Sequence, residues 1–278
     1  EINTYTANIP LALNESQIGG YTFSSITGNA KCPNALGGTI TLAPGDDITC
    51  TITNDDVAPI LTIVKKVTND NGGKLTANNF GIAVSGTSPI VFGLGAVNGS
   101  TTTYTSASAV KANTDYTISE QDKNGYTEGT WNCTDGSQGT GLTVNVRFDE
   151  GENVTCTITN NDQSAMIVAS KIVCDKESSL PNYGTGGPNI TALTAIDWVT
   201  NNSGCKLAEG WNFEYAVNDA PNPGDNVEDA IGWTAFGPTN ANGQTSVEIS
   251  DLSNINRIWI REQLKDGYLG FTYNVAGN

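Results

Sequence analysis

The chain has 278 residues and a formal net charge of -16, from 13 basic and 29 acidic side chains. This charge excludes ordinary electrostatic binding to DNA or RNA and favours a soluble, self-repelling surface. Histidine is absent, which excludes Ser-His-Asp and Cys-His catalysis and histidine-ligated zinc. No run of about 20 apolar residues occurs, so we predict no transmembrane helix and no membrane contact in this part of the chain.

An internal repeat sets the predicted domain organisation. The segment LAPGDDITCTITNDD (42–56) returns as FDEGENVTCTITNND (148–162), and a new apolar run follows each copy. Boundaries near residues 57 and 163 follow. The predicted units are the C-terminal part of a β-sandwich repeat (1–56), a complete β-sandwich (57–162) and a divergent, Trp-rich β-sandwich that lacks its end (163–278). Because the outer units are incomplete, we expect the chain to be part of a longer protein.

The predicted elements are short strands. ILTIVKKV (60–67), LTVNV (142–146) and NVTCTITN (153–160) are rich in Val, Ile and Thr, and clusters of Gly, Asn and Asp separate such segments. This pattern is typical of antiparallel strands in a sandwich, so we predict an all-β protein of tandem sandwich domains. Residues 190–202 allow one short helix.

Six cysteines are distributed two to a unit. The predicted pairs are Cys32 with Cys50, Cys133 with Cys156, and Cys174 with Cys205. An even number without a CxxC motif favours disulfides, and therefore an extracellular or cell-surface location.

Two polar side chains of the middle unit are predicted to face its core. In the strand before GY, the alternation that turns Ile118 inward also turns Glu120 inward. In the last strand, the alternation that turns Ile158 inward does the same to Asn160.

The first strand of the middle unit adds a lysine to this core face. Lys65 and Lys66 are adjacent, so one of them faces inward, and strand parity alone does not choose between them. Alignment with Lys171 of the third unit, matched on the aspartates that follow, favours Lys66.

Burial of a lysine, a glutamate and an asparagine at one core face costs free energy unless they form hydrogen bonds with one another. Burial favours the neutral form of an amine and of a carboxylic acid. A neutral amine can attack an asparagine carboxamide while the acid moves protons, which gives a Lys–Asn amide and ammonia. The alternatives are an uncross-linked Lys–Glu pair and a lysine that reaches solvent.

The lysine on the first strand, the closing Asn160 and the pattern Y-x-x-x-E-x-x-x-x-x-Y of Tyr116, Glu120 and Tyr126 resemble the prealbumin-like B-type domains of Gram-positive adhesins and pilins. The resemblance implies β-sandwiches stacked as stalks, many with intramolecular isopeptide bonds. It implies Lys66 as nucleophile, with Lys65 as the alternative, Glu120 as proton shuttle and Asn160 as acceptor. Partial copies are Glu15 with Asn54 in the first unit and Lys171 with Glu262 in the third.

Two further features of the third unit are candidate ligand sites. The loop 218–229 contains Asp219, Asp225, Glu228 and Asp229, which could coordinate calcium, although a solvated acidic loop is the favoured interpretation. For Trp198, Trp211, Trp233 and Trp259, a role in the core is favoured over a sugar-stacking platform.

The predicted function is that of a stalk or adhesion segment of a secreted bacterial surface protein. We expect it to contact neighbouring domains of the same long chain and a host or cell-surface protein or glycan. The alternative is an extracellular carbohydrate- or protein-binding module centred on the third unit. We predict no cofactor and no turnover enzyme, beyond a single autocatalytic cross-linking event.

Overall fold

The computed structural model describes residues 5–181, 190–217 and 232–268. These residues are almost entirely β-structure, with one six-residue α-helix and two short 3-10 helices among them. Two compact units divide the chain: residues 1–69 with 74–161, and residues 70–73 with 162–278. The division into three sequence repeats stays a prediction.

The first segment forms two small antiparallel sheets. Its strands are β1 (Pro10–Ala12), β2 (Tyr21–Gly28), β3 (Thr39–Thr41) and β4 (Cys50–Asp56). β1 pairs with β3, and β2 pairs with β4. No residue between 5 and 56 is buried, because pairs of two-stranded sheets enclose little apolar surface.

The middle segment is a β-sandwich of a seven-stranded and a three-stranded sheet. Its strands are β5 (Ile60–Thr68), β6 (Ala83–Val84), β7 (Ala96–Asn98), β8 (Thr101–Ala109), β9 (Asp115–Ser119), β10 (Tyr126–Glu128), β11 (Trp131–Cys133), β12 (Gln138–Gly139), β13 (Thr143–Arg147) and β14 (Asn153–Asp162). The larger sheet has the order β12-β11-β14-β5-β8-β7, with β10 also on β14, and the smaller has the order β13-β9-β6. Sixteen buried residues pack between them, including Trp131, Phe148 and Ile118.

The first and last strands of this sandwich are neighbours. β5 lies between β8, which is antiparallel to it, and β14, which is parallel to it. The prediction of antiparallel strands is therefore wrong for this one pair. A strand pattern predicts which residues face inward, but not the direction in which the last strand returns.

The third segment contains further short strands around its own core. They are β15 (Ala165–Ser170), β16 (Ile172–Cys174), β17 (Cys205–Leu207), β18 (Phe213–Val217), β19 (Thr234–Phe236), β20 (Gln244–Ile249) and β21 (Ile258–Glu262). β15 pairs with β20, β16 with β17, and β18 lies between β19 and β21. Trp211, Phe213 and Phe236 are buried in the core. The helix α1 (Ala195–Thr200) lies within the segment predicted to allow one.

All three predicted disulfides are confirmed: Cys32–Cys50, Cys133–Cys156 and Cys174–Cys205. Cys133–Cys156 joins β11 to β14, and Cys174–Cys205 joins β16 to β17. Within the described residues, no helix is both long and apolar enough to cross a membrane.

Candidate functional site

Three polar side chains meet in the core of the middle sandwich. Lys65 Nζ donates hydrogen bonds to Glu120 Oε2 and to Asn160 Oδ1. Asn160 Nδ2 donates to Glu120 Oε1 at 3.0 Å. Lys65 is 0%, Glu120 5% and Asn160 2% exposed. Each residue therefore satisfies the polar atoms of the other two in a place that water does not reach.

Strand alternation brings the three side chains together. Lys65 lies on β5, Asn160 on β14, and Glu120 directly follows β9 of the opposite sheet. In the parallel pairing of β5 and β14, Ile158 is opposite Lys65. Asn160 is the next residue of β14 that turns to the same face, so the lysine reaches it diagonally.

The lysine of this cluster is Lys65, and the expectation of Lys66 is corrected. Lys66 is exposed on the other face of β5, whereas the inward series is Leu61, Ile63, Lys65 and Val67. The alignment through the aspartates that follow each strand was displaced by one residue, because the loops after the two strands differ in length.

Burial sets the charge state that the lysine favours. Desolvation lowers the pKa of the Lys65 amine, and this outweighs the raising effects of the hydrogen bond and the charge of Glu120. The amine also lies 4.1 Å from the centre of the Phe80 ring. The neutral amine, which is the nucleophilic form, is therefore more easily formed here than on an exposed lysine.

Phe80 packs against the amine of Lys65, and Tyr126 packs against Phe80. Phe80 is fully buried and contacts Tyr126 edge to face, with the ring centres 5.4 Å apart. Tyr126 Oη donates to Asn69 Oδ1 at 2.6 Å and accepts from the Leu75 N–H at 3.1 Å. The tyrosine was visible in the sequence motif, but Phe80 was not found, since it lies in a 3-10 turn without strand periodicity.

Comparison with known proteins identifies this sandwich. Residues 56–158 match the family model of a prealbumin-like fold domain. The middle segment is a prealbumin-like domain. The resemblance predicted from the sequence is thus confirmed for this domain, and so is the fold class, all-β with prealbumin-like β-sandwich structure.

Other comparisons add little. No curated protein matches the chain. Among solved structures, the Bacillus anthracis TIE protein is similar at 14% identity with a TM-score of 0.34, over 83% of this chain and 36% of that one. The chain thus spans little more than a third of the length of that protein.

The prealbumin-like domain indicates a structural role at the cell surface, and the disulfides indicate an extracellular location.

The partial copies of the site contain two residues each. Asn54 Nδ2 donates to Glu15 Oε2 at 3.2 Å in the first segment. In the third segment, Lys171 Nζ donates to Glu262 Oε2 at 2.6 Å and lies 4.2 Å from the centre of the Trp211 ring. Each pair thus reproduces two of the three side chains that meet in the prealbumin-like domain.

The remaining candidate sites are the predicted calcium loop and the four tryptophans of the third segment. Asp219, Asp225, Glu228 and Asp229 lie outside the described residues, so the calcium loop stays a prediction. Over the residues that the structure describes, no group of three or more potential metal ligands comes together. Trp211 is buried in the core, while Trp198, Trp233 and Trp259 are half-buried.

Proposed function

We propose that the chain is a tension-resisting stalk segment of a bacterial surface protein, and that an isopeptide bond between Lys65 and Asn160 locks its prealbumin-like domain. The observation that supports this most is the buried contact of Lys65, Glu120 and Asn160, which joins the first strand of the domain to the last. Its expected partners are neighbouring domains of a longer chain and a cell-surface protein or glycan.

The three side chains supply every group that the reaction needs. The lone pair of Lys65 Nζ attacks Cγ of Asn160, and the bond from Cγ to Nδ2 breaks. Glu120 contacts both Nζ and Nδ2, so it can take the proton from the first and return it to the second. Ammonia leaves and one amide replaces another, so that neither an oxidant nor a cofactor is required.

Folding itself accelerates the cross-linking reaction, because it brings the reacting groups together. The amine and the carboxamide are 95 residues apart in sequence and come together only once β5 and β14 are paired. Holding two groups in reactive geometry contributes about 7–11 kcal/mol to a barrier reduction in favourable cases. The burial of all three residues also keeps water away from the product.

The position of the bond suits resistance to force. β5 and β14 are parallel neighbours near the two ends of the domain, so tension on the chain shears this pair. An amide between Lys65 and Asn160 would carry the tension past the 95 residues between them. Cys133–Cys156, which joins β14 to β11, is a second lock on the same strand.

Single-molecule stretching of the full chain tests this function. We expect the native domain to release no length before the tether breaks. In Lys65→Met, which removes the amine at similar volume, unfolding should release roughly 250 Å, the extended length of the residues between positions 65 and 160 that lie outside the disulfide loop. Lys66→Met is the matched control and should behave like the native chain. Release of that length by the native protein would contradict the proposal.

A further inference from the structure

One edge of the prealbumin-like domain is built without a charged side chain. Residues 75–110 contain no Asp, Glu, Lys or Arg, and this is the longest uncharged run in a chain whose net charge is -16. The run contains β6, β7 and β8. β7 ends the larger sheet and β6 ends the smaller one. Because β12 and β13 meet at the opposite edge, β6 and β7 lie at the same edge of the sandwich.

Three large apolar side chains are exposed at this edge. Val91 is 72% and Val97 74% exposed, and Leu94 is fully exposed. Val97 is paired with Thr102 of β8, and a Cβ on Gly95 would lie 2.4 Å from Cγ2 of the same threonine. The loop before β7 and β7 itself therefore lie against one part of β8. We call Val91, Leu94 and Val97 the edge patch.

The loop that carries Val91 and Leu94 is anchored to the domain. The side-chain amide of Asn78 donates to the Phe92 carbonyl at 3.0 Å and accepts from the Phe92 N–H at 2.9 Å. Phe92 is buried in the core, and its ring contacts that of Tyr104 edge to face. Because Phe92 is held by both its backbone and its ring, its neighbours are kept at the surface. Apolar side chains that are exposed together in this way are typical of an interaction site.

The absence of charge indicates which partner fits the edge patch. Two copies of a chain with a charge of -16 repel each other wherever their acidic surfaces meet. At the uncharged edge this repulsion is weakest, and contact removes apolar surface from water on both sides. A basic partner would instead be attracted to the acidic surface elsewhere on the chain. The edge patch is therefore suited to a second copy of the same chain.

We propose that the prealbumin-like domain binds a second copy of itself through the edge patch, in a two-fold contact. Such a contact uses the same surface on both copies, so each Leu94 lies close to its counterpart. A stable dimer buries about 800 Å² on each partner, which is more than three side chains provide. The association is therefore weak and requires a high local concentration, as for copies anchored side by side. The inference goes beyond the proposed function and does not depend on the Lys65–Asn160 bond.

Sedimentation velocity of the full chain tests the inference. We expect a monomer at about 10 µM and a reversible dimer that is well populated at about 500 µM. Leu94→Asp places a carboxylate in both patches and should weaken the dimer at least tenfold. Because Leu94 is exposed, the urea midpoint of this variant should match that of the native chain. Leu193→Asp makes the same change at a leucine that is 84% exposed outside this domain, and should dimerise as the native chain does.

The salt dependence of the dimer is a second readout. Added salt screens the repulsion between two acidic chains, so the proposed apolar contact should become tighter between low and high salt. A contact made by ion pairs would become weaker over the same range, and that result would contradict the role of the edge patch.

A single added cysteine tests the two-fold geometry. All native cysteines are in disulfides, so Leu94→Cys introduces the one free thiol of the chain. Under copper-catalysed oxidation by air, this variant should form a disulfide-linked dimer at concentrations where Leu193→Cys stays mainly monomeric. Equal yields from the two variants would contradict a contact at Leu94.

Three results of sedimentation would overturn the inference: a chain that stays monomeric at about 500 µM, a dimer that is unchanged in Leu94→Asp, or an open-ended series of larger assemblies. In the first case the edge patch serves a different molecule, and in the second the copies meet elsewhere. Each of these results leaves the proposed function standing, because the Lys65–Asn160 bond is measured separately by peptide mapping.

Discussion

Lys65 and Asn160 meet in the core of the prealbumin-like domain although 95 residues separate them in sequence. They lie on adjacent parallel strands, and Asn160 is two residues beyond Ile158, the residue paired with Lys65. The contact is thus a diagonal between the first and the last strand. A buried lysine, glutamate and asparagine are costly to desolvate, and the proposed amide between two of them would remove much of that cost.

The adjacent lysines of β5 give the sharpest stability comparison. Lys65→Met removes the amine of the buried cluster, so the closure of a loop of about 95 residues is lost. The expected decrease in the free energy of unfolding is about 4–5 kcal/mol on the chain-entropy estimate. Lys66→Met changes an exposed side chain and should stay within about 0.5 kcal/mol. Urea unfolding of both variants measures the difference, and equal effects would argue against a Lys65 bond.

The Cys133–Cys156 disulfide is expected to stabilise the same domain independently. It closes 23 residues of sequence, and its replacement by two alanines should reduce the free energy of unfolding by about 3 kcal/mol. The proposed isopeptide bond should still form, because Cys156 and Asn160 are at different positions of β14. Replacement of Cys32 and Cys50 is the control, since it removes a bond outside this domain. An unchanged urea midpoint in the Cys133–Cys156 variant would contradict the prediction.

Asp162 should make stability depend on pH. It accepts hydrogen bonds from the N–H groups of Asp70, Asn71 and Gly73 at 2.9, 3.0 and 2.6 Å. Burial raises the pKa of Asp162, but these backbone hydrogen bonds outweigh it, so its pKa lies below the ordinary value of 3.8. The folded state therefore binds this proton less tightly than the unfolded state does.

Because its pKa is lowered, Asp162 contributes to the free energy of unfolding above about pH 4. This contribution is lost as the pH falls through the folded-state pKa. Asp162→Asn should remove this contribution, decrease the free energy of unfolding by about 1–3 kcal/mol at neutral pH, and flatten its dependence on acid pH. Asp122→Asn, at an exposed position, is the control. Urea titrations over the acid range measure both, and parallel pH profiles would rule the contribution out.

Gly20 should be required for the contact between the first segment and the prealbumin-like domain. Its carbonyl accepts from the Val57 N–H at 2.8 Å, and the Val57 carbonyl accepts from the Gly151 N–H at 2.7 Å. A Cβ at Gly20 would lie 2.4 Å from the carbonyl oxygen of Glu150, and its φ is +83°, where a side chain is strained.

Gly20→Ala should therefore speed hydrogen exchange of the Val57 and Gly151 amides by tenfold or more, which corresponds to about 1.4 kcal/mol. Gly19→Ala is a matched control, because a Cβ there meets nothing within 4 Å. Equal exchange in the two variants would show that the contact does not depend on the close approach at Gly20.

The inward direction of Glu120 and Asn160 could be predicted from the sequence, because each continues a two-residue period of buried apolar side chains. The choice between Lys65 and Lys66 could not, since either lysine is compatible with a strand and only the packed sheet shows which face is buried. Phe80 was missed for a different reason: it approaches the lysine from a turn, and its place is set by tertiary contacts. The parallel return of β14 is likewise a property of the whole sandwich.

The lysine–asparagine bond is tested most directly by the mass of the reduced full chain, with peptide mapping of the product. The proposal predicts a linked pair of peptides that contains Lys65 and Asn160, with one ammonia lost for that link. Glu120→Gln, which keeps the shape of the side chain but removes its acid, should give the two peptides unlinked. A native chain with the full sequence mass, and with Lys65 and Asn160 on separate peptides, would contradict the account.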